Sequence, residues 1–61
     1  MSYRCVEELK VEATTIPVDT VIGHVGRDSI RGMAFVTFAL GVEHYAVEAD
    51  AFHEHFEEVG A

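Results

Sequence analysis

Residues 30–40 are rich in β-branched and aromatic side chains, and this composition predicts a β-strand. Its two alternating faces are both apolar, with Val36 and Phe38 on one and Met33 and Phe35 on the other. A strand that is apolar on both faces is typical of the middle of a sheet or of an interface. Because Gly41 follows as a turn residue, we expect a hairpin between residues 32–40 and 42–48.

The chain of 61 residues has room for one small domain, residues 1–61, near the lower size limit for independent folding. Cys5 is the only cysteine, so a disulfide within one chain is excluded, and a lone thiol indicates a reducing compartment, the cytoplasm. Hydrophobic residues make up 49% of the sequence, which is enough for a packed core. The longest apolar stretch is about half of the ~20 residues that a membrane-spanning helix needs, so we expect a soluble protein.

Residues 3–13 alternate between apolar and polar positions. Tyr3, Cys5, Leu9 and Val11 share the apolar phase, while Glu7 interrupts it. A period of two predicts a half-buried strand. The alternative is a helix through residues 7–10, which are good helix formers.

The next segment, residues 16–26, allows either a helix or a strand. Its apolar residues fall at the helical spacing i, i+3, i+4 and i+7: Val18, Val21, Ile22 and Val25. Because Pro17 suits the first turn of a helix and Gly26 its end, we predict a short helix here. The β-branched composition and Gly23 leave an alternative, a short strand from Thr20 to Val25 followed by a turn at residues 27–29.

The last segment predicts a helix over residues 51–59. Asp50 is a suitable N-cap, and Gly60 is a suitable end. The expected buried stripe consists of Phe52, Phe56 and Val59, with His55 at its border. The predicted fold class is therefore α+β: a small antiparallel sheet of about three strands with one or two short helices, one of them C-terminal, packed on one face.

Charge is distributed unevenly along the chain. All four basic residues lie in the first 31 positions, where five acids bring the net charge to −1. From residue 32 onward there is no Lys or Arg, and six acids give −6: Glu43, Glu48, Asp50, Glu54, Glu57 and Glu58. Such a field repels nucleic acid and attracts a basic surface on another protein. The alternative is that the acids only keep a small apolar domain soluble.

The histidines are the first candidates for metal ligands, since His44, His53 and His55 lie near Glu57 in the sequence. A zinc site needs three or four convergent ligands. The side chains of His53 and His55, two positions apart in a helix, would point about 200° away from one another. We therefore expect neither a metal nor another cofactor. Because Cys5 lies in an apolar phase, we expect a core thiol rather than a nucleophile, and a protein that is not an enzyme.

In the last third of the chain, residues 44–52 run from a strand directly into an acid-capped helix, and Glu54, Glu57 and Glu58 follow. In size, acidity and this feature, the chain resembles small phage-encoded inhibitors, including anti-CRISPR proteins. The resemblance implies a binder that occupies the basic nucleic-acid channel of a bacterial defence complex in the host cytoplasm, with carboxylates in place of phosphates.

We therefore predict a non-enzymatic inhibitor or adaptor whose six C-terminal acids bind Lys and Arg on a protein partner. The alternative is a structural homodimer or a small subunit of a larger assembly. The alternative rests on residues 33–40, whose two apolar faces favour an interface.

Overall fold

A computed structural model describes residues 2–59, and most of them lie in β-strands. Strands account for 66% of these residues and one short helix for 12%. Within this range the elements are β1 Ser2–Cys5, β2 Leu9–Val11, β3 Thr14–Ile16, β4 Val21–Ile30, β5 Met33–Leu40, β6 Glu43–Glu48, α1 Ala49–His55 and β7 Phe56–Val59. The predicted α+β class with about three strands is therefore wrong, and the fold is mostly β. No helix in residues 2–59 has the length and apolar character needed to cross a membrane.

The main sheet has five antiparallel strands in the order β6-β5-β4-β1-β7, and β2 with β3 forms a separate two-stranded arm. β4 belongs to both halves of the sheet, because its start pairs with β1 and most of its length pairs with β5. The pairing with β5 shifts between Gly23 and Gly26. A shift of this kind bends a strand and increases its twist, so the sheet changes direction at β4.

The position of α1 shows how strongly the sheet curves. The helix follows β6 and precedes β7 with no residues between them. Its seven residues span about 10 Å, whereas the outer strands of a flat five-stranded sheet lie about 19 Å apart. The two outer strands therefore approach one another, and Phe38 of β5 lies with its ring centroid 5.7 Å from that of Phe56 of β7.

Aromatic rings fill the space that the curved sheet encloses. Phe52 of α1 is fully buried, stacks on Phe56 at 4.7 Å and meets Tyr3 edge-on at 5.1 Å between centroids. The other buried residues are Cys5, Leu9, Ile16, Ile22, Val36, Phe38 and Val47. Each large apolar side chain buried in this way contributes about 1.5–3 kcal/mol, so the core replaces the disulfide that one cysteine cannot form.

The helix predicted from Pro17 to Gly26 is wrong, because residues 17–20 contain a turn and β4 begins at Val21. Ile22 is 2% exposed and its neighbour Val21 is 58% exposed, as the alternating faces of a strand require. Hydrogen bonding to β1 on one side and β5 on the other outweighs the local helix signals. The alternative strand was closer, but β4 continues through the turn expected at residues 27–29.

The C-terminal helix is shorter than predicted, since it ends at His55 and Phe56 begins β7. Glu48 occupies the N-cap position without a side-chain cap, and Asp50 lies in the first turn, so the N-cap prediction is also wrong. Phe52 and Phe56 are buried as expected. Phe56 is buried in a strand because β7 pairs with β1, and the predicted end at residue 60 lies outside the described range.

The predicted hairpin is confirmed: β5 and β6 pair from Leu40↔Glu43 to Phe35↔Glu48. Gly41 has a φ of 64° in the two-residue turn, a conformation that glycine adopts at little cost. The single strand expected over residues 3–13 is wrong in extent. Tyr3, Cys5 and Leu9 are buried and Val11 is half-buried, but the strand ends at Cys5, and β2 pairs with β3 instead.

Candidate protein-binding surface

The six carboxylates predicted to bind a partner are all exposed, but they occupy different parts of the surface. Asp50 and Glu54 are four positions apart on α1 and therefore face the same side, with Glu48 just before the helix. We call these three residues the α1 acidic group. Glu43 lies at the other end of β6, about 17 Å from Glu48 along the strand.

The remaining two acids, Glu57 and Glu58, lie on β7 and have different neighbours. Arg4 of β1 is directly opposite Glu57, and its guanidinium lies 3.2 Å from both Glu57 Oε1 and Asp19 Oδ1. All three side chains are exposed, so each ion pair contributes little stability. Glu57 therefore has a cation beside it, which the sequence did not predict because Arg4 is far away along the chain.

The outer edge of β6 is the less protected of the two edges of the sheet. No strand in residues 2–59 pairs with that edge. β6 has six residues in regular register and contains no Lys or Pro, whereas β7 has four residues within the described range and carries two adjacent acids. An edge strand that is not short and that has no Lys, Pro or bulge can serve as a template for an additional strand.

An open groove of about 280 Å³ lies beside β6 on the outer face of the sheet. It exists because two rows across β4, β5 and β6 hold mostly small residues: Gly23, Ala39 and His44 in one, and Gly26, Thr37 and Ala46 in the other. His24, at the bulge of β4, also lines the groove and has a φ of 53°. The volume is just below the ~300 Å³ typical of the smallest small-molecule sites, so the groove has room for an apolar side chain of a binding partner.

The end of the β4–β5 hairpin extends beyond the core, and every residue from 27 to 34 is exposed. Ile30 and Met33 are 48% and 47% exposed. A second depression of about 120 Å³ at the base of this end is lined by Met33, Ala34, Glu48, Ala49 and Asp50. The sequence correctly predicted apolar residues on both faces of β5. The exposure of the hairpin end was indicated only by the polar residues among positions 27–31.

His55 is hydrogen-bonded to the segment that follows β1. The Nδ1–H of His55 donates to the carbonyl oxygen of Glu7 at 3.0 Å, because a carbonyl can only accept. The carbonyl of His55 accepts the N–H of Val6 at 2.7 Å, so the end of α1 holds the chain that follows β1. Among residues 2–59 no three His, Cys, Asp or Glu side chains converge in a way that could hold a metal ion.

Cys5 is completely buried, which confirms the prediction of a core thiol. Its Sγ–H donates to the Glu7 carbonyl at 3.0 Å. Burial raises the pKa of the Cys5 thiol above its ordinary value, and the nearby acids Asp19, Glu7 and Glu8 act in the same direction. Since the thiolate is the reactive form, this environment disfavours nucleophilic chemistry.

Three neighbouring features remain as the candidate site: the α1 acidic group, the outer edge of β6 and the groove beside it. β6 connects them, since Glu48 ends the strand and His44, Tyr45 and Ala46 line the groove. Comparisons with protein-family models, curated proteins and solved structures found no match to this chain. The functional interpretation therefore rests on the chemistry of these surface features.

Proposed function

We propose that this protein is a non-enzymatic inhibitor or adaptor that binds a basic surface of another protein. The proposal rests on one observation: all six acids after residue 31 are exposed, and that part of the sequence contains no Lys or Arg. The proposed contact residues are Glu43, Glu48, Asp50, Glu54, Glu57 and Glu58. Complementary potentials of this kind speed association and select partners by charge.

The positions of the basic residues support the same interpretation. Arg4 lies between two carboxylates, Lys10 lies on β2, and Arg27 and Arg31 lie on the hairpin end. β6, α1 and β7 therefore carry the six exposed acids with no Lys or Arg on the same elements, and among the six only Glu57 has Arg4 beside it. With a net charge of −7, the field of the molecule favours a cationic partner and opposes nucleic acid.

The partner that accords with the resemblance to phage-encoded inhibitors is the basic nucleic-acid channel of a bacterial defence complex. In that setting carboxylates take the positions that phosphates occupy on the nucleic acid, and the site of action is the host cytoplasm. The support for this partner is the small size, the acidity and the continuity of β6 with α1 over residues 44–52.

The test compares two double variants that each remove two exposed charges. Glu48→Gln with Glu54→Gln alters the proposed surface, while Glu7→Gln with Glu8→Gln is the matched control near β1. Partners captured from the native cells are identified by mass spectrometry, and their affinities are then measured at low and high salt. We expect the first variant to weaken binding about 2- to 30-fold and high salt to weaken it further. Equal effects of both variants, or an affinity independent of salt, would contradict the proposal.

The second candidate function is a homodimer or a small subunit of a larger assembly. The exposed Ile30 and Met33 on the hairpin end favour it, because apolar side chains of this size are usually covered when they form a patch. Sedimentation of the wild type and of Ile30→Ser with Met33→Ser tests it. We expect concentration-dependent association that the double variant abolishes, whereas a wild type that stays monomeric at high concentration excludes the homodimer and counts against this candidate.

A further inference from the structure

We propose that β6 binds an extended segment of the partner as an additional strand, and that this segment has Lys or Arg at both ends and an apolar side chain near its middle. The inference rests on the proposed function, since it assigns a binding mode and a sequence type to the basic partner. It goes further because it places the contact on the backbone edge of β6 and in the neighbouring groove.

The backbone of β6 supplies the first argument. In an antiparallel strand, alternate residues direct their N–H and C=O groups to the two sides. About half of the six residues of β6 therefore present these groups to the edge with which no strand in the described part of the chain pairs. An added strand satisfies them with a regular ladder, and this binding mode obtains affinity from the main chain.

The charges at the ends of β6 define the partner. Glu43 and Glu48 are the first and last residues of the strand, so a segment of matching length meets a carboxylate at each end. Opposite charges directly across a strand pair are stabilising, and like charges are destabilising. A second copy of β6, fully overlapped and antiparallel, would place Glu43 opposite Glu48 at both ends. Charge complementarity therefore favours a basic segment over a second copy.

The groove determines which side chain is preferred near the middle of the bound segment. His44, Tyr45 and Ala46 of β6 line it, and a side chain that lies opposite Ala46 in an added strand points to the same face as the groove. The remaining lining residues are Thr37, Phe38 and Ala39 of β5 and His24 of β4. In strand-addition complexes, pockets for alternate side chains provide specificity. The apolar lining favours an aliphatic or aromatic side chain at this position.

The experiment uses the whole protein and a synthetic peptide, acetyl-Lys-Thr-Leu-Val-Thr-Lys-amide, whose Leu lies opposite Ala46, on the groove face of β6, when its two ends pair antiparallel with Glu48 and Glu43. The control peptides have the same composition with both Lys residues in the middle, or Pro in place of the central Leu. Binding is followed by amide chemical shifts and by hydrogen exchange of the β6 amides. We expect protection of β6 amides with the first peptide and weaker binding of both controls.

Protein variants separate the two parts of the inference. Glu43→Gln with Glu48→Gln should raise the Kd of the first peptide about 2- to 30-fold, while the control Glu7→Gln with Glu8→Gln leaves it unchanged. Ala46→Phe, which fills the groove from the exposed face of β6, should also weaken binding and remove the advantage of Leu over smaller residues.

The outcomes distinguish this inference from the proposed function. If basic proteins bind in an acid-dependent manner while the β6 amides exchange as in the free protein, the inference is overturned and the proposed function stands. If no basic protein or peptide binds in an acid-dependent manner, the proposed function fails with it. Protection of β6 that grows with protein concentration alone would assign the edge to a second copy and overturn the inference.

Discussion

The two ends of β5 lie in different environments although their side chains are similarly apolar. Val36 and Phe38 are almost completely buried, whereas Met33 is 47% exposed. Phe38 is covered by Phe52 and Phe56 from α1 and β7, while Met33 lies on a hairpin end whose residues, 27–34, are all exposed. Apolar composition therefore favours a strand along the whole of β5, but its apolar side chains stabilise the fold only where the curved sheet and α1 bury them.

The sharpest test of this contrast is Phe38→Ala against Met33→Ala. Removing the Phe38 ring leaves a cavity among Tyr45, Phe52 and Phe56, and we expect a loss of about 3–5 kcal/mol in the free energy of unfolding. A domain of this size has only about 3–9 kcal/mol in total, so the variant should be largely unfolded. Met33→Ala should change stability by less than about 0.5 kcal/mol.

Urea denaturation followed by circular dichroism measures both variants, with Phe38→Leu as a milder substitution that keeps the protein folded. Similar losses for Phe38→Leu and Met33→Ala would show that the hairpin end packs as tightly as the core.

Gly26 lies in β4 where the strand passes from the core half of the molecule towards the hairpin end. A Cβ at this position would lie 2.9 Å from Thr37 Oγ1, whereas a Cβ at Gly23 would meet nothing within 4 Å. We expect Gly26→Ala to destabilise the protein by about 1–3 kcal/mol, and Gly23→Ala to be neutral or slightly stabilising.

Combining Gly26→Ala with Thr37→Ala should recover most of the lost stability, because the clashing oxygen is then absent. Thermal unfolding of the four proteins in this double-mutant cycle tests the idea. Simple additivity of the two substitutions would show that the Thr37 hydroxyl is not the obstacle.

Cys5 makes the buried half of the molecule sensitive to alkaline pH. Burial raises the pKa of its thiol in the folded state above the ordinary value of 9.0, so the folded protein retains a proton that the unfolded chain loses. The stabilisation is complete below the unfolded pKa and declines as the pH rises through the folded one, by at most about 1.4 kcal/mol per pH unit.

The free energy of unfolding of the wild type should therefore fall more steeply above about pH 9 than that of Cys5→Ala. Other groups titrate in both proteins, so the difference between the two curves is the measurement. Parallel curves would mean that the thiol is solvated in the folded state.

Arg4 forms exposed ion pairs at the surface, and its substitution should change the free energy of unfolding least. Arg4→Met removes the ion pairs with Asp19 and Glu57, each worth about 0.2–1 kcal/mol between exposed groups. The control is Arg27→Met, since Arg27 forms no ion pair with the residues at positions 2–59 and should be neutral. We expect the effect of Arg4→Met to shrink in high salt; an effect that persists there would indicate packing of the Arg4 stem instead.

Patterns between near neighbours in the sequence predicted part of this structure correctly. The β5–β6 hairpin follows from two apolar runs and Gly41, and the burial of Tyr3, Cys5, Phe52 and Phe56 follows from their spacing. The acids of the candidate site are exposed as their polarity predicts. The groove and the open edge of β6 could not be predicted, because they depend on which strands become neighbours in the sheet.

Composition and local periodicity determined that this chain builds an apolar core without disulfides, contains a central hairpin and concentrates its net negative charge after residue 31. Long-range pairing determined the rest. Val21–Ile30 is a strand because β1 and β5 each hydrogen-bond to it, and Phe56–Val59 is a strand because β1 offers its other edge. Local helix signals amount to tenths of a kcal/mol per residue, and two hydrogen-bonded edges and a shared aromatic core outweigh them.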